Sequence, residues 1–139
     1  MARPTKFQID VIADLLDQRR YAPSKARLRE MYAIENLLNE LEPNKTYPAD
    51  YIIFRITSFR PEEITHTQLL KGKPRITDLV NLIEKLSHSL ALSHEDYAPR
   101  IALTPETVCE NLSISKTTLH RYRKMGLIAH NVVWPDDVL

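Results

Sequence analysis

An all-α fold is predicted by three features of this 139-residue sequence. Glycine is scarce: only Gly72 and Gly126 occur, against an average usage of roughly 7%. The dipeptides that close tight hairpins, Asn-Gly and Asp-Gly, are absent. Apolar residues recur instead at the three- and four-residue spacing of amphipathic helices in several separate stretches. Residues 1–98 read as a helical interaction domain and residues 99–139 as a second segment, with a boundary near residue 98.

The elements follow in order. Phe7, Val11, Ile12, Leu15 and Leu16 make one apolar stripe between Thr5, a capping residue, and Arg19–Arg20, which suit the negative end of a helix dipole. Ser24 caps a second helix running to about Leu41, with Leu28, Met31, Ile34, Leu38 and Leu41 as its stripe. The run from Asp50 to Phe59 is rich in aromatic and β-branched residues, as strands are, but Pro48 and Asp50 suit a first helical turn, so a short buried helix is expected. Pro61 to Lys73 is polar and irregular, with Leu69 and Leu70 touching the core. A helix from about Pro74 to Leu90 presents Ile76, Leu79, Val80, Ile83, Leu86 and Leu90, and Ala91 to Ile101 reads as a linker.

Residues 104–126 carry the most information. Thr104 caps, Pro105 takes the first helical position and Glu106 sits in the first turn of a helix ending near Leu112. Ser115 caps a second helix that ends at Gly126, the left-handed residue expected just past a C-terminus. Two short helices joined by about three residues make a helix-turn-helix. The register fits: Cys109 is the small residue where the helices cross, Ile114 the apolar residue after the turn, and Leu119 and Tyr122 the inward pair. Ser113 departs from the pattern, since the tight turn usually takes glycine. Lys116, Thr117, His120, Arg121 and Lys124 then face outward. After Gly126, Leu127, Ile128, Val132, Val133 and Trp134 suit a short β wing, with Trp134 as a core plug.

Global charge names no partner: nineteen basic against eighteen acidic residues leave +1. The local excess lies in Arg100, Lys116, Arg121, Arg123 and Lys124, with Glu106 and Glu110 expected to face elsewhere. A helix of this kind enters the major groove of double-stranded DNA, where Arg or Lys reaches guanine edges and Thr meets a thymine methyl. The expected DNA-contacting residues are Ser115, Lys116, Thr117, Thr118, His120, Arg121, Arg123 and Lys124.

The run SISKTTLHRYRKMGLI resembles the recognition region of MerR-like and excisionase-like winged helices. Ser115, Thr118, Leu119, Arg121, Tyr122, Gly126, Leu127 and Ile128 match that pattern. Over roughly residues 20–134, YPADYIIFRITSFRPEE, the stretch ending LIEKLSHSLAL and the helix-turn-helix together resemble the N-terminal part of a bacterial family of sigma-factor-like proteins. The resemblance implies a helical domain and a DNA-binding motif that precede polymerase-binding and promoter-melting regions, which this chain lacks; a fragment or a stand-alone relative is expected. It implies a transcription protein with RNA polymerase as a candidate partner; residues 1–98, read as a protein-interaction or dimerisation module, make a second copy of the chain another. The rival reading is a helical adaptor that binds polymerase or a regulator without touching DNA.

No enzyme is expected. Phosphate-cradling loops need clustered glycines, and there are none. Cys109 is the single cysteine, which excludes an intrachain disulfide and any multi-cysteine zinc site. His66, His88, His94, His120 and His130 are scattered; His94-Glu95-Asp96 is a polar linker cluster without a partner histidine four residues on. No cofactor or metal is expected. Asp10, Asp14 and Asp17 interrupt the first apolar stretch, so no signal peptide or membrane span is expected and the protein should be cytoplasmic.

Overall fold

A computed structural model describes residues 7–59, 69–97 and 102–134. Within these residues the chain is mainly helical: α1 (Asp10–Arg19), α2 (Ser24–Glu40), α3 (Ala49–Thr57), α4 (Gly72–Leu90), α5 (Pro105–Leu112) and α6 (Lys116–Lys124). The only sheet among the described residues pairs β1 (Tyr47–Pro48) antiparallel with β2 (Leu69–Leu70), in the register Tyr47 to Leu70. The expected cap at Thr5, most of the irregular run after Pro61, the boundary at residue 98 and Arg100 lie outside the described residues.

The core forms where four apolar stripes meet. Met31, Ile34 and Leu37 of α2 and Leu79, Ile83 and Leu86 of α4 are buried together, joined by Ile52 and Ile56 of α3 and Ile12 and Leu15 of α1. The ambiguous run is therefore helical as far as Thr57: its aromatic and β-branched composition is outweighed by Ile52 and Ile56, four apart, which turn to one side. Leu70 is buried as expected, whereas Leu69, its neighbour across the pleat, is exposed.

Helix boundaries shift where distant groups intervene. α1 begins at Asp10, not near Thr5, because the carboxylate of Asp78 in α4 accepts hydrogen bonds from the backbone N–H of Gln8 (3.0 Å) and Ile9 (2.7 Å). Ser24 is the first helical residue of α2 rather than its cap; Pro23 stands at the cap, and the Ser24 hydroxyl accepts from Arg27. α4 starts two residues early, at Gly72. The expected linker contains a short 3₁₀ turn, His94–Tyr97.

Arg75, only 1% exposed, has no acidic partner among the described residues. Its guanidinium instead donates to the carbonyls of Lys45 (2.7 Å), Glu42 (3.1 Å) and Leu70 (3.4 Å), and lies over the Tyr47 ring at 4.8 Å. Burial lowers its pKa, but an arginine stays charged, so the three carbonyl dipoles and the ring face solvate the cation in place of water. This single side chain holds the loop after α2 and the start of α4 together. Glu30, also 1% exposed, is held by Arg19 through an Nη2–Oε1 contact of 2.6 Å, which ties α2 to α1.

Ala91 and Ser113, at the ends of α4 and α5, adopt left-handed conformations with φ of 49° and 54°. A Cβ in this region costs roughly 1–2 kcal/mol, partly offset by the chain entropy glycine loses on folding. Ala91→Gly and Ser113→Gly are each expected to stabilise by about 0.5–1 kcal/mol, and the double variant by their sum, because the sites share no partner. Urea titration of the three variants checks this; a loss of stability in either single variant refutes it.

Candidate functional site

The second segment is built as its capping residues dictate. Thr104 Oγ1 accepts the backbone N–H of Thr107 at 3.2 Å, and Pro105, which has no N–H to lose, opens α5. At the other end, the Ile114 N–H bonds back to the Cys109 carbonyl (3.0 Å) around left-handed Ser113. Serine thus occupies the conformation expected of glycine at this turn. Ser115 Oγ accepts the N–H of Thr118 at 3.1 Å and starts α6, which ends before Gly126 at φ 121°. The result is two helices with a three-residue turn, residues 113–115 between them.

This pair docks on α4. The Thr77 hydroxyl donates to the Lys124 carbonyl at 3.3 Å, Arg123 pairs with Glu84 at 2.7 Å, and a Cβ placed on Gly126 would meet Ile76 Cγ2 at 3.1 Å. The described residues beyond Gly126 do not fold into a hairpin of their own. They run back over α2 and α4, and the β character reduces to one parallel bridge, Ser93 with Val133. Asn131 donates from its backbone N–H to Ser87 Oγ (2.7 Å) and from its amide to the Glu84 carbonyl (2.9 Å). Trp134 is half-buried and stacks on His94 at 5.5 Å.

The predicted site residues separate into two groups. Leu119 is buried as expected, and Thr117, His120, Arg121 and Lys124 are exposed on the far side of α6. Tyr122, expected inward, is 42% exposed. The reason is geometric: Leu119 is buried and Arg123, four residues on, turns to Glu84, which leaves Tyr122 on the flank of the buried side. Arg123 is therefore turned toward α4 rather than outward. Lys116 is exposed but reaches Glu106 at 3.3 Å, so Glu106 does not face elsewhere. Its own backbone N–H, and then Lys116, hold the Glu106 carboxyl below the usual carboxylate range. Ser115 and Thr118 are engaged with one another at the helix start (3.0 Å). Cys109 is half-buried, short of the interior position expected for it.

His130 was not singled out by the sequence, because its partners are remote. Its Nε2 contacts Glu35 of α2, and its Nδ1 lies 2.8 Å from the Tyr97 hydroxyl. A ring protonated on Nε2 satisfies the whole chain: the phenol donates to Nδ1, and Nε2–H donates to the carboxylate. Burial, then the neighbouring Tyr32, Glu35 and Asp96, push the Tyr97 pKa up to about 12. In the unfolded chain the phenol ionises near 10. Its contribution to stability is thus fully present below pH 10 and is lost as the pH rises toward 12. The loss should amount to about 2 kcal/mol after allowance for the partly solvated ring. Urea titrations of wild type and Tyr97→Phe across this pH window check the point: the two should converge at high pH, and a constant gap refutes it.

Among the described residues no group of three or more His, Cys, Asp or Glu side chains is placed to hold a metal, and no helix is long and apolar enough to cross a membrane. No protein family, curated protein or solved structure matches the chain.

Proposed function

We propose that this protein binds double-stranded DNA through the outer face of α6 and acts in transcription, in the manner the sigma-factor resemblance implies. One observation carries the reading: Leu119 is buried and Arg123 is engaged by Glu84 of α4, yet Thr117, His120, Arg121 and Lys124 lie on one open face. Neither Arg121 nor Lys124 has an acidic partner among the described residues. Arg121 and Thr117 stand one turn apart at the middle of this face, where a guanidinium reaches a base edge and a threonine methyl meets thymine. Lys124, near the C-terminal end, suits a phosphate.

Fluorescence anisotropy with labelled duplexes, specific and scrambled, at several salt concentrations tests this. Arg121→Ala should cost about 1–3 kcal/mol at a preferred site and flatten the sequence preference. Lys124→Ala should weaken all duplexes alike and reduce the salt slope by about one. Arg123→Ala should leave the slope unchanged, since its charge is spent on Glu84. Absence of binding at low salt overturns the proposal.

A second reading has its own support. Leu112, Tyr122 and Met125 are 60%, 42% and 66% exposed, and such apolar groups on the same helix pair suit a protein partner. An adaptor that binds polymerase through this surface would bind no duplex, and it would lose its partner when Tyr122 and Met125 are changed to serine.

A further inference from the structure

The stripe of α4 that carries the helix-turn-helix runs on past the end of α6. Lys73, Thr77, Val80 and Glu84 recur every three or four residues and so share one side of α4. Glu84 pairs with Arg123, and Thr77 donates to the carbonyl of Lys124, the last residue of α6. Gly126 then lies against Ile76, and the chain turns back toward Glu84 and Ser87, where Asn131 is held. Lys73, one turn before Thr77 and so roughly 5–6 Å from it, is left exposed. It belongs to the body, yet it stands next to the helix end that bears Lys124.

The charge at this junction is uncompensated. Lys73 and Lys124 are both exposed, and neither has an acidic partner among the described residues. The acids of the adjoining elements are engaged: Glu84 by Arg123, Glu42 of the loop after α2 by Lys45, and buried Asp78 by the amides of Gln8 and Ile9. α6 itself contains no acidic residue. Like charges fixed near one another on two packed helices repel, and an anion held between them removes that cost.

We propose that Lys73 makes a phosphate contact with double-stranded DNA beside that of Lys124. This rests on the DNA-binding reading above and adds a second element to the interface. The duplex then lies across the junction between the body and the helix-turn-helix, and both hold the same stretch of backbone. The contact is to phosphate and not to a base, because α4 lies behind α6 with respect to the outer face that enters the groove.

Duplex binding by the full chain is followed by anisotropy across a salt series for wild type, Lys73→Gln, Lys73→Arg and Lys25→Gln. Lys73→Gln should weaken preferred and scrambled duplexes alike and reduce the salt slope by about one. Its deficit should shrink roughly 3.5-fold between about 50 and 200 mM salt. Lys73→Arg, which keeps the charge, should keep the wild-type slope. Lys25 is also exposed but lies toward the opposite end of α4, where Arg27 of α2 bonds Ser89 Oγ at 2.8 Å, so Lys25→Gln should leave the slope unchanged. Thermal unfolding should be the same in all four proteins, since neither lysine has an ion pair among the described residues. If Lys124→Ala lowers the slope and Lys73→Gln does not, the inference falls and the DNA-binding reading stands. An equal drop in Lys25→Gln, which reports net charge alone, or a lost slope in Lys73→Arg also overturns it. If wild type binds no duplex at low salt, both fall together.

Discussion

Gly72→Ala is expected to lower stability by about 3 kcal/mol or more. A Cβ built on Gly72 falls 2.1 Å from the carbonyl oxygen of Pro43, which is backbone and not the movable end of a side chain. Alanine is normally the better helix residue by nearly 1 kcal/mol, so the sign of the effect rests wholly on this contact. The loop cannot retreat cheaply, because Arg75, one turn on in α4, grips the carbonyls of Glu42 and Lys45 on either side of Pro43. A chemical denaturation curve suffices as the check. A variant as stable as wild type would mean that the loop after α2 moves freely over the start of α4.

Asp78→Ala comes next, with an expected loss of about 2–4 kcal/mol. The carboxylate is fully buried and serves the N–H groups of Gln8 and Ile9, so truncation leaves two backbone donors unpaired at the mouth of α1. Burial holds the carboxyl above its ordinary value of 3.8, even though the two N–H groups pull it down. A raised acid stabilises most in its protonated form: the contribution is complete below the unfolded value and declines as the pH climbs through the folded one. The deficit of Asp78→Ala should therefore be larger in mild acid than at neutrality. Hydrogen exchange supplies a second readout, since α1 amides should lose protection before those of α2.

The local grammar of the chain was readable. Thr104, Pro105 and Ser115 announce their helices through nearest-neighbour chemistry, and all three act as expected. Pro48 and Asp50, which suit a first helical turn, also located α3, against the β-like composition of its residues. What escaped is long-range and polar. Asp78 lies 70 positions from the amide of Gln8, and His130 95 positions from Glu35; no spacing rule links such residues. Arg75 looks like an ordinary solvent-facing cation in an amphipathic helix until the loop that closes over it is known. The register of α6 departs at Tyr122 for the same reason, because Arg123 turns inward to Glu84, a residue of another helix. The outer face of α6 was legible, because Thr117, His120, Arg121 and Lys124 share one side of a single helix.

The central position of α4 has a consequence for the time course of synthesis. The mouth of α1, the apolar side of α2 and the docking of α6 all depend on residues 72–90. A ribosome that has released only the first half of the protein has released helices without the surface they close upon. Isolated helices of this length are marginal in water, so the nascent segment stays unsettled until α4 clears the exit tunnel. Both arms can then condense on it within a short interval. The order of translation and the order of assembly are thus decoupled, and a codon change that slows elongation before α4 has cleared the tunnel would lengthen the period in which the apolar stripes of the emerged helices stand open to other chains.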